Sequence, residues 1–188
     1  MTVYVGFLGG PGTGKSTISA KTFSLLKESG LRTEMAREFV KKWAWQEKIP
    51  VKADQFKIFG EQVDEENSLA NKVDFVISDA PLLICAYYTQ VHGDVSTAIV
   101  FRSMVYEYMR LMKSEGHSFH FFWLDRCNTY QKEGRWQTEE EAKAIDVDLL
   151  KFLDSLKISY TRVPADPSAA QKCYEDIKRN FSDRPNQR

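Results

Sequence analysis

The sequence predicts an α/β protein: a parallel sheet of five strands with helices on both faces, three layers in all. Three observations predict it. Short, mostly apolar runs alternate with longer stretches of helical spacing along the chain. The first such run leads into a glycine-rich loop and then a helix. The run at 119–124, Phe-His-Phe-Phe-Trp-Leu, is apolar almost throughout, as in strands covered on both faces.

Taken in order, residues 2–8 form the first strand and 15–29 the first helix. Ile18, Lys21-Thr22 and Leu25-Leu26 carry the helical spacing, and Ser29-Gly30 ends it. Residues 32–36 read as a short second strand. Residues 38–47 read as helical, with Trp43 and Trp45, until Ile49-Pro50 breaks the pattern. A long helix covers 54–71, with Phe56, Phe59, Val63 and Leu69 as its apolar positions. The third strand, 73–78, ends at Asp79, and Pro81 opens a helix to about Val91. Gly93-Asp94 is a turn, and Gly116 stops the helix over 97–115. The fourth strand, 119–124, is followed by a polar loop over 125–137. Thr138 then caps a helix to about Leu156, with Glu141 completing a capping box. The fifth strand covers 158–163, and Asp166-Pro167 starts the last helix. Residues 1–182 read as one domain without repeats or linkers; 183–188 are a fraying, flexible tail.

The 188 residues suffice for one domain with a full core, and 43% hydrophobic content is ordinary for a globular protein. No apolar run has the length of a membrane span. The chain passes from Met1 directly into the first strand, so no secretory leader is expected. Cys85, Cys127 and Cys173 are odd in number and widely spaced, which favours reduced thiols in a cytoplasm. His92, His117 and His120 are scattered and read as surface or structural residues. The 26 basic and 26 acidic residues cancel, which argues weakly against a large nucleic-acid footprint, although a local basic cleft would not show in the sum.

Residues 9–16 read Gly9-Gly10-Pro11-Gly12-Thr13-Gly14-Lys15-Ser16, the pattern of a phosphate-binding loop. Strand, loop and helix make a nest of backbone N–H groups at a positive helix end. Lys15 is expected to reach the β- and γ-phosphates, and the Ser16 hydroxyl to bind Mg²⁺. The fold class is therefore the three-layer P-loop NTPase fold. Ligands of open α/β sheets bind at the carboxyl ends of the strands, which selects the residues just after each one.

Asp79 ends an apolar strand, where a carboxylate holds Mg²⁺ through water; its rival reading is the cap of the helix after Pro81. Glu38, after the second strand, is placed to accept a proton from an attacking hydroxyl. Its rival reading is a surface helix residue paired with Lys41 or Lys42. The loop from Arg126 to Arg135, with Gly134 as hinge, reads as a lid closing over triphosphate; the alternative is a solvated loop paired with 139–141.

Two patterns mislead. Asn71-Lys72-Val73-Asp74 matches a guanine-reading sequence, but it precedes a strand instead of following a late one, and we reject it. Trp43, Trp45, Phe56 and Phe59 could stack on a base, yet aromatics at helical spacing are more often core. Trp43 and Trp45 cannot share one helix stripe, so one of them is free to line an acceptor pocket, and Trp43 is assigned there.

The chain resembles the phosphate-loop nucleoside and nucleotide kinase superfamily, and within it the ribosylnicotinamide-kinase-like family, which includes many small bacteriophage ATPases. The resemblance is carried by 7–17 (through Ser16-Thr17), Ala36-Arg37-Glu38-Phe39-Val40, Asp54-Gln55-Phe56 with Gln62, Ser78-Asp79-Ala80-Pro81, and 134–139. It spans about residues 1–156. It implies ATP as donor, Mg²⁺, strand order 2-3-1-4-5 and a mobile lid. It also implies Glu38 as base and Asp79 as the metal-side residue. Related kinases carry an arginine directly after that acid; here Ala80 follows, and Arg37 is the substitute.

The expected function is an ATP- and Mg²⁺-dependent kinase acting on a small nucleoside-like or nucleotide acceptor. Residues 9–17 would bind the nucleotide, Arg37, Glu38, Trp43 and Asp79 the acceptor, and Ser16 and Asp79 the metal. Lys15, Glu38, Asp79, Arg126 and Arg135 would carry the chemistry. The rivals are a kinase of hydroxymethylated bases in DNA and a non-kinase ATPase or switch. The expected setting is the cytoplasm of a bacterium or phage-infected host, without membrane contact, as monomer or homodimer.

Overall fold

A computed structural model describes residues 1–92, 94–127, 129–133 and 135–181. Its five strands are β1 (Val3–Leu8), β2 (Thr33–Ala36), β3 (Phe75–Ser78), β4 (Ser118–Asp125) and β5 (Thr161–Pro164). All pair in parallel, in the order β2-β3-β1-β4-β5, as the resemblance implied. The helices are α1 (Lys15–Glu28), α2 (Lys41–Trp45), α3 (Asp54–Asn67), α4 (Leu82–His92), α5 (Val95–Ser114), α6 (Glu139–Ser155) and α7 (Ala169–Phe181).

The period-two geometry of a strand distributes the core between the two faces. Val3, Val5 and Phe7 of β1, with Phe122 and Leu124 of β4, pack on Ile18 and Leu26 of α1 and Cys173 and Ile177 of α7. On the other face, Leu8, Phe121 and Trp123 pack on α3, α4, α5 and α6 through residues such as Phe59, Leu83, Phe101 and Phe152. Fully burying each such side chain stabilises the fold by roughly 1.5–3 kcal/mol. Gly6 is a glycine because its neighbours press on it: a Cβ there would lie 2.7 Å from the Phe121 ring and 2.9 Å from Pro81.

The capping box of α6 is present: Thr138 Oγ1 accepts the Glu141 N–H at 3.2 Å, and Glu141 Oε2 accepts the Thr138 N–H at 2.7 Å. Of the expected turn, Gly93 lies outside the described residues. Asp94 caps α5 through the Thr97 N–H at 2.8 Å, so the helix starts at Val95, before the expected position. The tail at 183–188 also lies outside the described residues.

Further elements differ from expectation. The helix expected over 38–47 contracts to α2, and the N–H groups of Glu38 and Phe39 before it are bonded to Asp79 and Gln62. Helix α3 stops at Asn67, and Phe56 is 57% exposed while Gln55, Gln62 and Glu66 are buried. Strand β5 starts at Thr161 because α6 ends in a left-handed turn at Lys157, whose φ is 53°, with the Ile158 N–H on the Leu153 carbonyl. Helix α7 starts at Ala169, after Asp166 has accepted the Ser168 N–H at 2.8 Å. Among the described residues no helix is long and apolar enough to cross a membrane.

Candidate active site

The phosphate loop joins β1 to α1 at the carboxyl edge of the sheet. Gly9, Gly12 and Gly14 have φ values of 146°, 77° and 90°, a region that disfavours any residue with a Cβ. The loop is braced from inside: Thr13 Oγ1 donates to the Gly10 carbonyl at 3.0 Å, and Lys15 Nζ donates to the carbonyls of Gly9 (2.7 Å) and Gly10 (2.9 Å). Burial pulls the Lys15 ammonium below its ordinary pKa, and the carboxylates of Glu38, Asp79 and Asp146 push it back. Pro11, Ser16 and Thr17 line the cleft beside the loop.

A second brace comes from α6. Asp146 Oδ1 accepts the Gly10 N–H at 2.6 Å, and Oδ2 accepts Arg126 Nε at 2.8 Å. Arg126 also donates from Nη2 to the Pro11 carbonyl at 2.8 Å. Arg126, expected above the triphosphate, is instead fastened between the loop and α6, because Asp146 gives its guanidinium a carboxylate there. A Cβ on Gly10 would lie 2.5 Å from Asp146 Oδ1, so this contact needs glycine. Tyr130 lies against Gly12, and its hydroxyl donates to the Gln137 carbonyl at 2.6 Å. Arg135 lines the cleft and donates to the Gln131 and Glu133 carbonyls of its own segment. Gly134, the expected hinge, lies outside the described residues.

Beside the loop, β2 and β3 pair with Ala36 opposite Ser78, which brings the residues after them together. Asp79 Oδ1 accepts the Glu38 N–H at 3.2 Å. Asp79 is 6% exposed, and Glu38 lines the cleft. Burial holds the Glu38 carboxyl above the usual range; Lys15 and Lys41 oppose this and Asp79 adds to it. Neither Lys41 nor Lys42 forms an ion pair with Glu38 within 4.0 Å. Lys41 Nζ donates to Ser16 Oγ at 2.8 Å, and Lys42 Nζ lies over the Phe39 ring at 4.1 Å.

A cleft of about 520 Å³ is lined by the loop, Glu38, Gln55, Gln62, Ile84 and Tyr88 together. Its size is that of a small-molecule site. Trp43, expected at the acceptor pocket, is 5% exposed and packs edge-on against Phe39, below Lys48. Trp45 lines the cleft instead, since two residues along α2 turn the side chain to the opposite side. Arg37 is exposed and is absent from the cleft wall. In the rejected guanine pattern, Asp74 pairs with Arg32 at 2.6 Å, and Phe75 beside it lies opposite Val3 at the start of β1, the far edge of the sheet from the loop.

Sequence reasoning missed Asp146, Lys41 and Glu66. Glu66 holds the entry of α4: it accepts the Leu82 N–H at 3.1 Å and the Ser78 hydroxyl at 3.4 Å, and Gln62 Nε2 lies 3.5 Å away. The α4 N-terminus is thus bound from α3 and not by Asp79. The signal was available, since Gln55, Gln62 and Glu66 share one helix face. Burial pushes the Glu66 carboxyl up to about 7, against three lowering hydrogen bonds. A raised acid stabilises the fold fully below its unfolded pKa and loses that contribution as pH rises through the folded value. Wild-type stability is therefore expected to fall between about pH 4.5 and 7 by up to roughly 3 kcal/mol from this group. Glu66→Gln should remove that slope and raise the melting temperature at pH 8. Melts at several pH values check it, and identical profiles for the two proteins would refute it.

A family model described as AAA domain matches residues 4–171. The chain belongs to the AAA domain family. No curated protein matches this AAA domain chain by sequence. Among solved structures it is similar to a NadR protein in complex with NR, at TM-score 0.69 and 12% identity, over 97% of this chain and 52% of that one. It therefore spans about half the length of the NadR chain. It is also similar to deoxyadenosine kinase from M. mycoides with bound dATP, at TM-score 0.56 and 16% identity, over 93% of this chain and 98% of that one. The fold is thus shared with these two structures.

Proposed function

We propose that this chain is an ATP- and Mg²⁺-dependent kinase that transfers the γ-phosphoryl group to a hydroxyl or phosphate of a small nucleoside-like or nucleotide acceptor. One observation carries the reading: Gln55, Gln62 and Tyr88 line the same cleft of about 520 Å³ as Lys15, Ser16 and Glu38. Hydrolysis alone needs only nucleotide and water; a cleft that sets polar and aromatic side chains beside the loop and the Glu38 carboxyl has a use if a second molecule enters. Similarity to structures holding NR and dATP supports an acceptor of that class.

Residues 9–17 would hold the donor phosphates through backbone N–H groups, with Lys15 leaving the Gly9 and Gly10 carbonyls to reach them. Glu38, with its raised pKa, would orient the acceptor hydroxyl and take its proton late in a loose transfer. The oxygen donors Ser16 and Asp79 suit magnesium, and the Lys41 ammonium on Ser16 Oγ marks that oxygen as a place for positive charge. Magnesium there would neutralise the β- and γ-phosphate oxygens. The segment at 125–137 would serve as a lid, with Arg135 at the cleft and Tyr130 against the loop. Three free thiols, Cys127 exposed among them, fit a reducing cytoplasm.

The test is ATP consumption screened against nucleosides, nucleoside monophosphates and DNA containing hydroxymethylated bases. Stimulation by a nucleoside or monophosphate, with one phosphorylated product per ATP consumed, is expected. Stimulation by the modified DNA alone would move the acceptor to the polymer. Turnover that no acceptor changes would make the chain an ATPase or switch.

A further inference from the structure

The cations near the site differ in how free they are to meet a phosphate. The residue after Asp79 is Ala80, Arg37 is exposed and absent from the cleft wall, and Arg126 is tied through Nε and Nη2 to Asp146 and Pro11, with only its buried Nη1, beside Gly12, unpaired. Among the described residues, the cations lining the cleft are Lys15, Lys41 and Arg135, and Arg135 is held by carbonyls of its own segment.

Lys41 is placed differently from all of these. Its Nζ lies 2.8 Å from Ser16 Oγ, the hydroxyl that would meet the metal bridging the last two phosphates. It is the first residue of α2, a helix of 5 residues with no side-chain cap, so small backbone adjustments can move it. Its long flexible stem lets the ammonium shift by several ångströms without unfolding anything. Glu38 lines the same cleft, and the charges of both Lys15 and Lys41 act on its carboxyl.

We propose that Lys41 is a second phosphate-binding cation of this site, resting on the Ser16 hydroxyl when the cleft is empty and moving onto the γ-phosphoryl oxygens when nucleotide is bound. The proposal rests on reading the cleft as a phosphoryl-transfer site. The physical reason for the move is charge. Magnesium held by Ser16 Oγ would make an ammonium on the same oxygen a close like-charge neighbour. A γ-phosphoryl group would offer the ammonium several anionic acceptors. Lys41 would thus supply a positive charge to the transferred group from β2's side of the cleft.

The readout is affinity for Mg·ATP against Mg·ADP, measured by calorimetry on wild type, Lys41→Met and Lys41→Arg without any acceptor. Only ATP carries the group that Lys41 would hold. Lys41→Met should weaken ATP binding about 10-fold or more, as expected for one charge-assisted contact, and leave ADP binding within about 2-fold. Lys41→Arg should restore most of the ATP preference. An unchanged ATP-to-ADP ratio in Lys41→Met would overturn the proposal, and so would equal weakening of both nucleotides, the mark of a structural residue. Lys41 is exposed, so Lys41→Met should fold normally, and circular dichroism checks this. If the ratio shifts while no acceptor stimulates the wild type, the role of Lys41 stands and the kinase reading falls.

Discussion

Lys15→Ala is expected to lower acceptor-stimulated ATP turnover about a thousand-fold or more while the protein stays folded. The Lys15 ammonium is the cation inside the loop, and a preorganised charge aimed at developing phosphoryl charge accounts for a large part of such barriers. The fold should tolerate its loss, because burial already disfavours the charge and its two hydrogen bonds go to carbonyls of the same loop. The loop keeps its shape through the Thr13 and Asp146 contacts to Gly10. Turnover assays with a thermal melt on the same preparation check this. Near-normal turnover in a well-folded variant would remove the loop from the chemistry.

Glu38→Gln and Asp79→Asn should separate acceptor chemistry from metal binding. Glu38 faces the cleft, so Glu38→Gln should cut acceptor-dependent turnover roughly 100- to 10,000-fold and spare ATP affinity. Asp79 is buried and holds the Glu38 N–H. Asp79→Asn keeps an oxygen for that N–H but removes the charge, so the Mg²⁺ concentration needed for half-maximal turnover should rise. Acceptor kinetics and a Mg²⁺ titration on both variants decide between them. If Glu38→Gln turns over acceptor almost normally, Glu38 is a structural residue and Asp79 becomes the better base.

The parallel sheet and its helices were readable because each rests on short-range pattern. Apolar runs, the glycine loop and the Thr138–Glu141 box are local signals, and the structure contains each of them. The strand order came from resemblance, since pattern alone does not say which strands are neighbours. The residues placed otherwise were assigned on local grounds: Arg126 and Arg37 by their place after a strand, Trp43 because it cannot share a helix stripe with Trp45. Where a side chain goes also depends on distant partners. Asp146, far along the chain on α6, turns Arg126 under the loop. Gln62 and Asp79 hold the backbone at 38–39, before α2, and Trp43 packs in the core. Polar residues on a buried face hide from a search for apolar periodicity, which is why the Gln55, Gln62 and Glu66 face of α3 went unread.

The clasp of Asp146 on both Gly10 and Arg126 bears on how nucleotide would come and go. Arg126 precedes Tyr130, and α6 follows it, so on the proposed reading a covering segment would be anchored on both sides of its contact with Gly12. Exchange of spent for fresh nucleotide would then require Tyr130 to leave Gly12, and not the clasp to open. The cradle that Asp146 holds would stay formed between turnovers and would not have to be rebuilt for each one.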